Sequence, residues 1–138
     1  MDADKKAIVV VRPGAEQALK ELTESIIGAA YRVANTLGCG FFEKVYENAL
    51  AHELTKQGLL IEQQKAVDVW YDGVVVGFYI TDVVVNDAVI VELKCAKCLD
   101  EMHLAQCLNY LKATNMKLAL LMNFGPPKIE IRRVVNNL

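Results

Sequence analysis

A chain of 138 residues that is 54% hydrophobic is large and apolar enough to form one domain with a real core, and too apolar for disorder. Asp68, Asp72 and Asp82 interrupt its most hydrophobic part, so no uncharged run reaches the ~18 residues of a membrane span; Met1-Asp2-Ala3-Asp4-Lys5 lacks the basic start of a secretory signal, and a cytoplasmic location is expected. A formal net charge of −2 excludes attraction to nucleic acid through overall charge, leaving a local basic patch or a bound metal ion to meet a phosphate.

Residues 1–14 read as an N-terminal arm or added strand, with Ala7-Ile8-Val9-Val10-Val11 ahead of Arg12-Pro13-Gly14, and residues 15–138 as a single domain. From about Glu16, Leu19, Leu22, Ile26, Ala29, Ala30, Val33 and Leu37 recur at steps of three and four, the mark of an amphipathic helix that Gly38-Cys39-Gly40 ends. A second helix follows. Phe42, Val45, Tyr46, Ala49, Leu50 and Leu54 form its apolar side, Lys44, Glu47, Asn48 and Lys56 a solvated one, and it stops near Gln57-Gly58. The period then changes to two: Val67, Val69 and Tyr71 alternate with Asp68 and Trp70 before an Asp72-Gly73 turn, and Val74 to Ile80 begins the return strand. Val89 to Leu93 is apolar on both faces and should lie centrally, with a layer packed on each side. Leu99 to Thr114 is helical, with Met102, Ala105, Gln106, Asn109 and Tyr110 sharing a side. Leu118 to Met122 makes another buried strand; after Gly125-Pro126-Pro127, alternation from Ile129 to Arg133 predicts an edge strand.

The chemistry concentrates between Asp82 and Lys94. Glu92 and Lys94 are two apart in a strand, so their side chains leave the same face while Leu93 points away. Asp82 lies on the preceding strand, and the connecting loop decides its face. A two-residue turn at Asn86-Asp87 sets Asp82 opposite Val91, away from Glu92; a three-residue loop, Asn86-Asp87-Ala88, sets it opposite Glu92. In the second case two carboxylates and the Leu93 backbone carbonyl suit magnesium or manganese, with Lys94 orienting a water or meeting charge in the transition state. The alternative is a surface ion pair at a strand end. Cys95-Ala96-Lys97-Cys98 has the spacing of a metal knuckle or redox pair, yet a zinc site needs Cys39, Cys107 or His103 to converge on it; without an export signal, reduced thiols are the expectation, and zinc or an iron–sulfur cluster is not. Lys97, Lys112 and Lys117 are candidate phosphate contacts.

Gly40-Phe41-Phe42-Glu43-Lys44-Val45-Tyr46 carries the Gly-x-x-Glu-x-x-Tyr signature and resembles the GxxExxY family of the PD-(D/E)XK nuclease-like superfamily. The similarity runs from about Leu22 to Val135 and takes in Glu92-Leu93-Lys94 and Ala105 to Tyr110. It implies an α/β (α+β) fold, the restriction-endonuclease-like core of a central mixed sheet flanked by helices. It also implies a metal-dependent nuclease acting on DNA or RNA. On this resemblance Asp82 and Glu92 are the metal acids, with Thr81 where the name-giving proline would stand, and Lys94 is the catalytic lysine. Glu43 is an additional acid that reaches the metal directly or through water. Gln106 with Tyr110 resembles a Gln-x-x-x-Tyr helix lining the cleft, which His103 and Tyr46 could join; Tyr46 also suits the core, and His103 a helix surface. The competing reading is a non-catalytic module that binds nucleic acid or protein. A chain this short is expected to gain from homodimerisation when holding a long substrate, although no interface is legible.

Overall fold

The computed structural model describes residues 13–136, so the arm or strand expected around Ala7–Val11 lies outside the described residues. The elements run α1 (Pro13–Leu37), α2 (Glu43–Lys56), β1 (Ile61–Tyr71), β2 (Val74–Val85), β3 (Val89–Lys94), α3 (Glu101–Thr114), β4 (Leu118–Asn123) and β5 (Glu130–Val135). They build a five-stranded mixed sheet in the order β1-β2-β3-β4-β5 with three helices. Every neighbouring pair is antiparallel except β3 and β4, which α3 joins by a crossover. Among the described residues no helix is long and apolar enough to cross a membrane.

α1 begins three residues before Glu16, since a proline in the first turn has no N–H to leave unpaired. It ends at Gly38, whose φ of 74° is the left-handed conformation a side chain resists. β3 and β4 are buried along their length apart from Lys94, as double-sided apolar runs require. Side chains alternate between two layers. Val89, Val91 and Leu93 join Val83, Val85, Leu120 and the buried residues of α1 and α2; Ile90 joins Val84, Leu121 and the Cys107, Tyr110 and Leu111 stripe of α3.

Two helix faces differ from the periodicity. In α2 the buried residues are Tyr46, Glu47, Leu50, Ala51 and Leu54, while Phe42 is 85% exposed and Val45 sits at the surface. The helix is rotated because Glu47, expected in solvent, has polar partners waiting inside. In α3 the inward residues are Cys107, Tyr110 and Leu111, and Met102, Ala105 and Asn109 face solvent. β1 also starts earlier than its alternation suggests, at Ile61, because Glu62-Gln63-Gln64-Lys65 is polar and carries no strand period. The Asp72-Gly73 turn forms as expected, with φ of 54° and 76° at its two residues, the tight hairpin conformation whose twist matches the strands.

Candidate active site

The loop between β2 and β3 is the three-residue form. Val85 pairs with Val89, Val84 with Ile90 and Val83 with Val91, so Asp82 comes opposite Glu92 on the α3 side of the sheet. There the ladders open. Asp82 has no backbone partner in either β1 or β3; instead its N–H donates to Glu92 Oε1 at 3.0 Å, and Leu93 N–H donates to Asp82 Oδ2 at 2.9 Å. Each acid thus bonds the other strand's backbone, and the two carboxylates are held face to face. Leu93 turns its N–H toward β2, so its carbonyl points to the same side.

Lys94 leaves the same face of β3 as Glu92, half-buried, and its Nζ donates to Gln106 Oε1 of α3 at 3.3 Å. Tyr110, one turn after Gln106, is buried with its ring edge-on to Tyr79 at 5.0 Å between centroids. Glu43, the first residue of α2, accepts the N–H of Cys95 at 3.3 Å and so stands just past the end of β3. Two candidates are engaged elsewhere. Tyr46 is stacked on Phe124, and its hydroxyl donates to Gly38 O and accepts the Phe41 N–H, which closes the turn between α1 and α2 instead of lining the cleft. His103 forms a capping box with Asp100: its N–H donates to Asp100 Oδ1, and its Nδ1 accepts the Asp100 N–H. Cys39, Cys95 and Cys98 are exposed thiols and Cys107 a buried one.

The structure adds residues that the sequence pattern hides. Glu47, only 4% exposed, accepts from Gln63 Nε2 at 2.8 Å, Gln64 Nε2 at 2.9 Å and Lys44 Nζ at 3.2 Å. Consecutive strand residues normally point to opposite faces. Gln63 and Gln64 both reach Glu47 because Gln64 has a φ of 55°, a left-handed conformation uncommon for a residue with a side chain. The same Gln64 amide lies 3.4 Å from Asp82 Oδ1, so a chain of polar contacts runs from the α2 acid to the sheet acid. On the far side of Lys94, buried Asn123 binds the Ala96 N–H and carbonyl, the Gly125 N–H and Glu130. A Cβ on Gly125 would overlap the Ala96 carbonyl oxygen, so only glycine lets this loop close against the end of β3. The only hint in sequence was polarity: two glutamines inside a strand and an asparagine ending an apolar one.

This sequence matches the PD-(D/E)XK nuclease superfamily over residues 20–134, most of the chain. The chain belongs to the PD-(D/E)XK nuclease superfamily. No curated protein matches it. Among solved structures, the crystal structure of SSO0001 has the same fold with a TM-score of 0.51 at 17% identity; the similarity covers 86% of this chain and 59% of that one, so this chain spans less than two thirds of that protein.

Nucleases of the PD-(D/E)XK superfamily typically use magnesium or manganese, and the acid pair fits such an ion. Glu92 is 3% exposed, and its Oε2 has no hydrogen-bond donor among the described residues. Burial first, and the facing Asp82 charge second, push the Glu92 carboxyl up to about 9. The pair therefore calls for positive charge. Every donor at hand is a carboxylate or carbonyl oxygen, the set a hard divalent cation prefers. Among the described residues no three Asp, Glu, His or Cys side chains gather as a ligand group, so Asp82, Glu92 and the Leu93 carbonyl would hold an ion that keeps several waters. Burial and then the same two carboxylates raise Tyr110 above its ordinary value, and burial with the Glu92 charge raises Cys107 to about 12, so both neighbours stay protonated. A concavity lined by Ala15, Leu19, Leu22, Ala88 and Met116 borders the loop at the other end of β3 and holds none of these groups.

Proposed function

We propose that the protein is a magnesium- or manganese-dependent nuclease that hydrolyses phosphodiester bonds of DNA or RNA. The observation that supports it most is the Asp82–Glu92 pair, held face to face where two ladders open, with Lys94 on the same strand face. Burying Glu92 against the half-buried Asp82 carboxylate costs stability, and a surface ion pair at a strand end would not need it. The Gly40 to Tyr46 signature supports membership of the GxxExxY family within the superfamily. On this reading residues 15–138 act as one cytoplasmic nuclease-like domain.

The bound ion would polarise a phosphoryl oxygen and lower the pKa of a coordinated water. Asp82 and Glu92 would hold it, and each carboxylate is itself aimed by a backbone N–H of the other strand. Lys94 presents a cation to the phosphate or to the attacking water, with Gln106 accepting one ammonium proton so that the side chain keeps its direction. Glu43 sits at the mouth, ready to bind a water of the ion rather than the ion itself. Gln64 steadies Asp82 and is in turn steadied by Glu47.

The test is cleavage of end-labelled single- and double-stranded DNA and RNA with magnesium or manganese. Activity that needs the metal and is lost in Glu92→Ala and Lys94→Ala, with folding intact, is the expected result. Cleavage that persists in both variants, or binding of nucleic acid without cleavage under any metal, would defeat this reading; the second outcome would favour a binding module.

A further inference from the structure

From Lys65 and Thr81 outward, β1 and β2 pair only with each other, as a hairpin that extends past the rest of the sheet. One side of it turns toward α3, where Val67 is buried and Tyr79 meets the Tyr110 ring. Between Val69 and Trp70 the register shifts: Val69 pairs with Gly77 and Trp70 with Val75, which leaves Val76 without a partner. A bulge of this kind sharpens the local twist of a hairpin. Trp70 lines the same concavity as its neighbour Val69, together with Tyr79 from β2 and Asn109, Lys112 and Ala113 from α3, around a volume of about 320 Å³. This concavity continues from the acid site. Gln106, which accepts an ammonium proton of Lys94, is followed at steps of three and four by Asn109 and Ala113, so one stripe of α3 leads from Lys94 to the concavity over about 10 Å.

We propose that the concavity is a subsite for an unpaired nucleotide of the substrate strand, whose base stacks on Trp70 beside Tyr79 and whose phosphate meets Lys112. The subsite rests on the nuclease reading and names the form of nucleic acid taken: a single strand, or the unpaired end of a duplex. Ring surface is free for it, since Trp70 is 63% exposed and Tyr79 38%. Stacking accepts any base, because every base has a face to offer. A base inside a duplex has both faces covered by its neighbours, so only an unpaired one can enter. Charge points the same way. No lysine or arginine occurs from Ala66 to Leu93, and Lys112 is the one cation lining the concavity, exposed and without an ion pair among the described residues. One cation suits one phosphate of a flexible strand, whereas a duplex held by its backbone needs a row of them. Neither Asp68 nor Asp72 lines the concavity to oppose that phosphate.

Trp70 is the single tryptophan of the chain, so its fluorescence reports on this place alone. In chelator, where cleavage does not intervene, single-stranded decathymidylate should quench the emission of the full chain, and its blunt duplex with decaadenylate should bind at least about tenfold more weakly. By anisotropy of fluorescein-labelled decathymidylate, Trp70→Ala should weaken binding about tenfold and Trp70→Phe, which keeps a ring, far less. Lys112→Ala should lower the slope of log affinity against log salt by about 0.7, the value for one phosphate contact on a single strand, and Lys112→Arg should restore it. If Trp70→Ala fails to fold, the quenching of the unmodified chain and the Lys112 variants decide. Quenching by the single strand without cleavage under any metal would keep the subsite and defeat the nuclease reading. Metal-dependent cleavage with no quenching, equal affinity for the duplex, or a folded Trp70→Ala that binds as tightly as the unmodified protein would overturn the subsite.

Discussion

The two ends of β2 break the usual rule of protein interiors in opposite senses. At Asp82 the strand runs through the covered part of the sheet, and an acid is buried there: Glu92 is 3% exposed and faces a second carboxylate. From Val74 to Ile80 the same strand runs through the uncovered part, and apolar side chains stand in water. Both arrangements cost free energy in the isolated chain, the first through a desolvated acid and the second through hydrated apolar surface. The difference teaches that one strand can hold a buried acid pair's partner at one end and exposed apolar side chains at the other, according to which stretch of it other layers cover.

The sharpest way to break this contrast is at the acid end. Glu92→Ala and Lys94→Ala should each lower metal-dependent cleavage by about 10²-fold or more, as loss of a group that meets transition-state charge does, while thermal unfolding remains cooperative. Cleavage within a few-fold of the unmodified protein would remove the acid end from the comparison. Asn123→Ala leaves the Ala96 and Gly125 backbone groups without their partner and should cost about 2–3 kcal/mol, read by urea denaturation. A loss below ~1 kcal/mol would mean water replaces the side chain without strain.

pH sharpens the same point. The Glu92 carboxyl titrates at about 9 in the folded protein against 4.5 for its ordinary value, so between these values the folded state holds a proton that the unfolded state has released. Stability of the metal-free protein is therefore complete below the lower value and falls as pH rises toward the upper one. Thermal melts in chelator should show a midpoint declining across this range; manganese should raise the midpoint most at the alkaline end, and Glu92→Gln should flatten the slope. A midpoint that rises steadily with pH would contradict the buried acid pair.

Smaller effects follow from groups that act through others. Gln64→Ala should weaken manganese binding by about tenfold, measured calorimetrically, with little change in fold, because Asp82 keeps its Leu93 bond and loses only its lateral support. His103→Ala should cost about 1 kcal/mol through the lost capping box and leave the metal affinity unchanged.

Much of this fold is legible in the sequence. The double-sided apolar runs at Val89–Leu93 and Leu118–Met122 determined two central strands, since a strand apolar on both faces must be covered twice. The Asp72-Gly73 pair determined a hairpin, and the two-residue spacing of Glu92 and Lys94 determined their common face. Helix faces were less legible. Periodicity placed Phe42 and Val45 inward and Glu47 outward, and tertiary packing reversed that because Glu47 could be paired by two glutamines and a lysine.

The tertiary structure alone decided what depends on single backbone torsions or on distant partners. Whether Asp82 faces Glu92 hung on one residue of loop length, and both loop choices were open in sequence; the structure takes Asn86, Asp87 and Ala88 as the loop. Whether Gln64 could serve Asp82 hung on a left-handed φ that no composition announces. Residue type and period are local properties and can be read along the chain. Register, torsion and the company a buried charge keeps are settled only when separate strands meet.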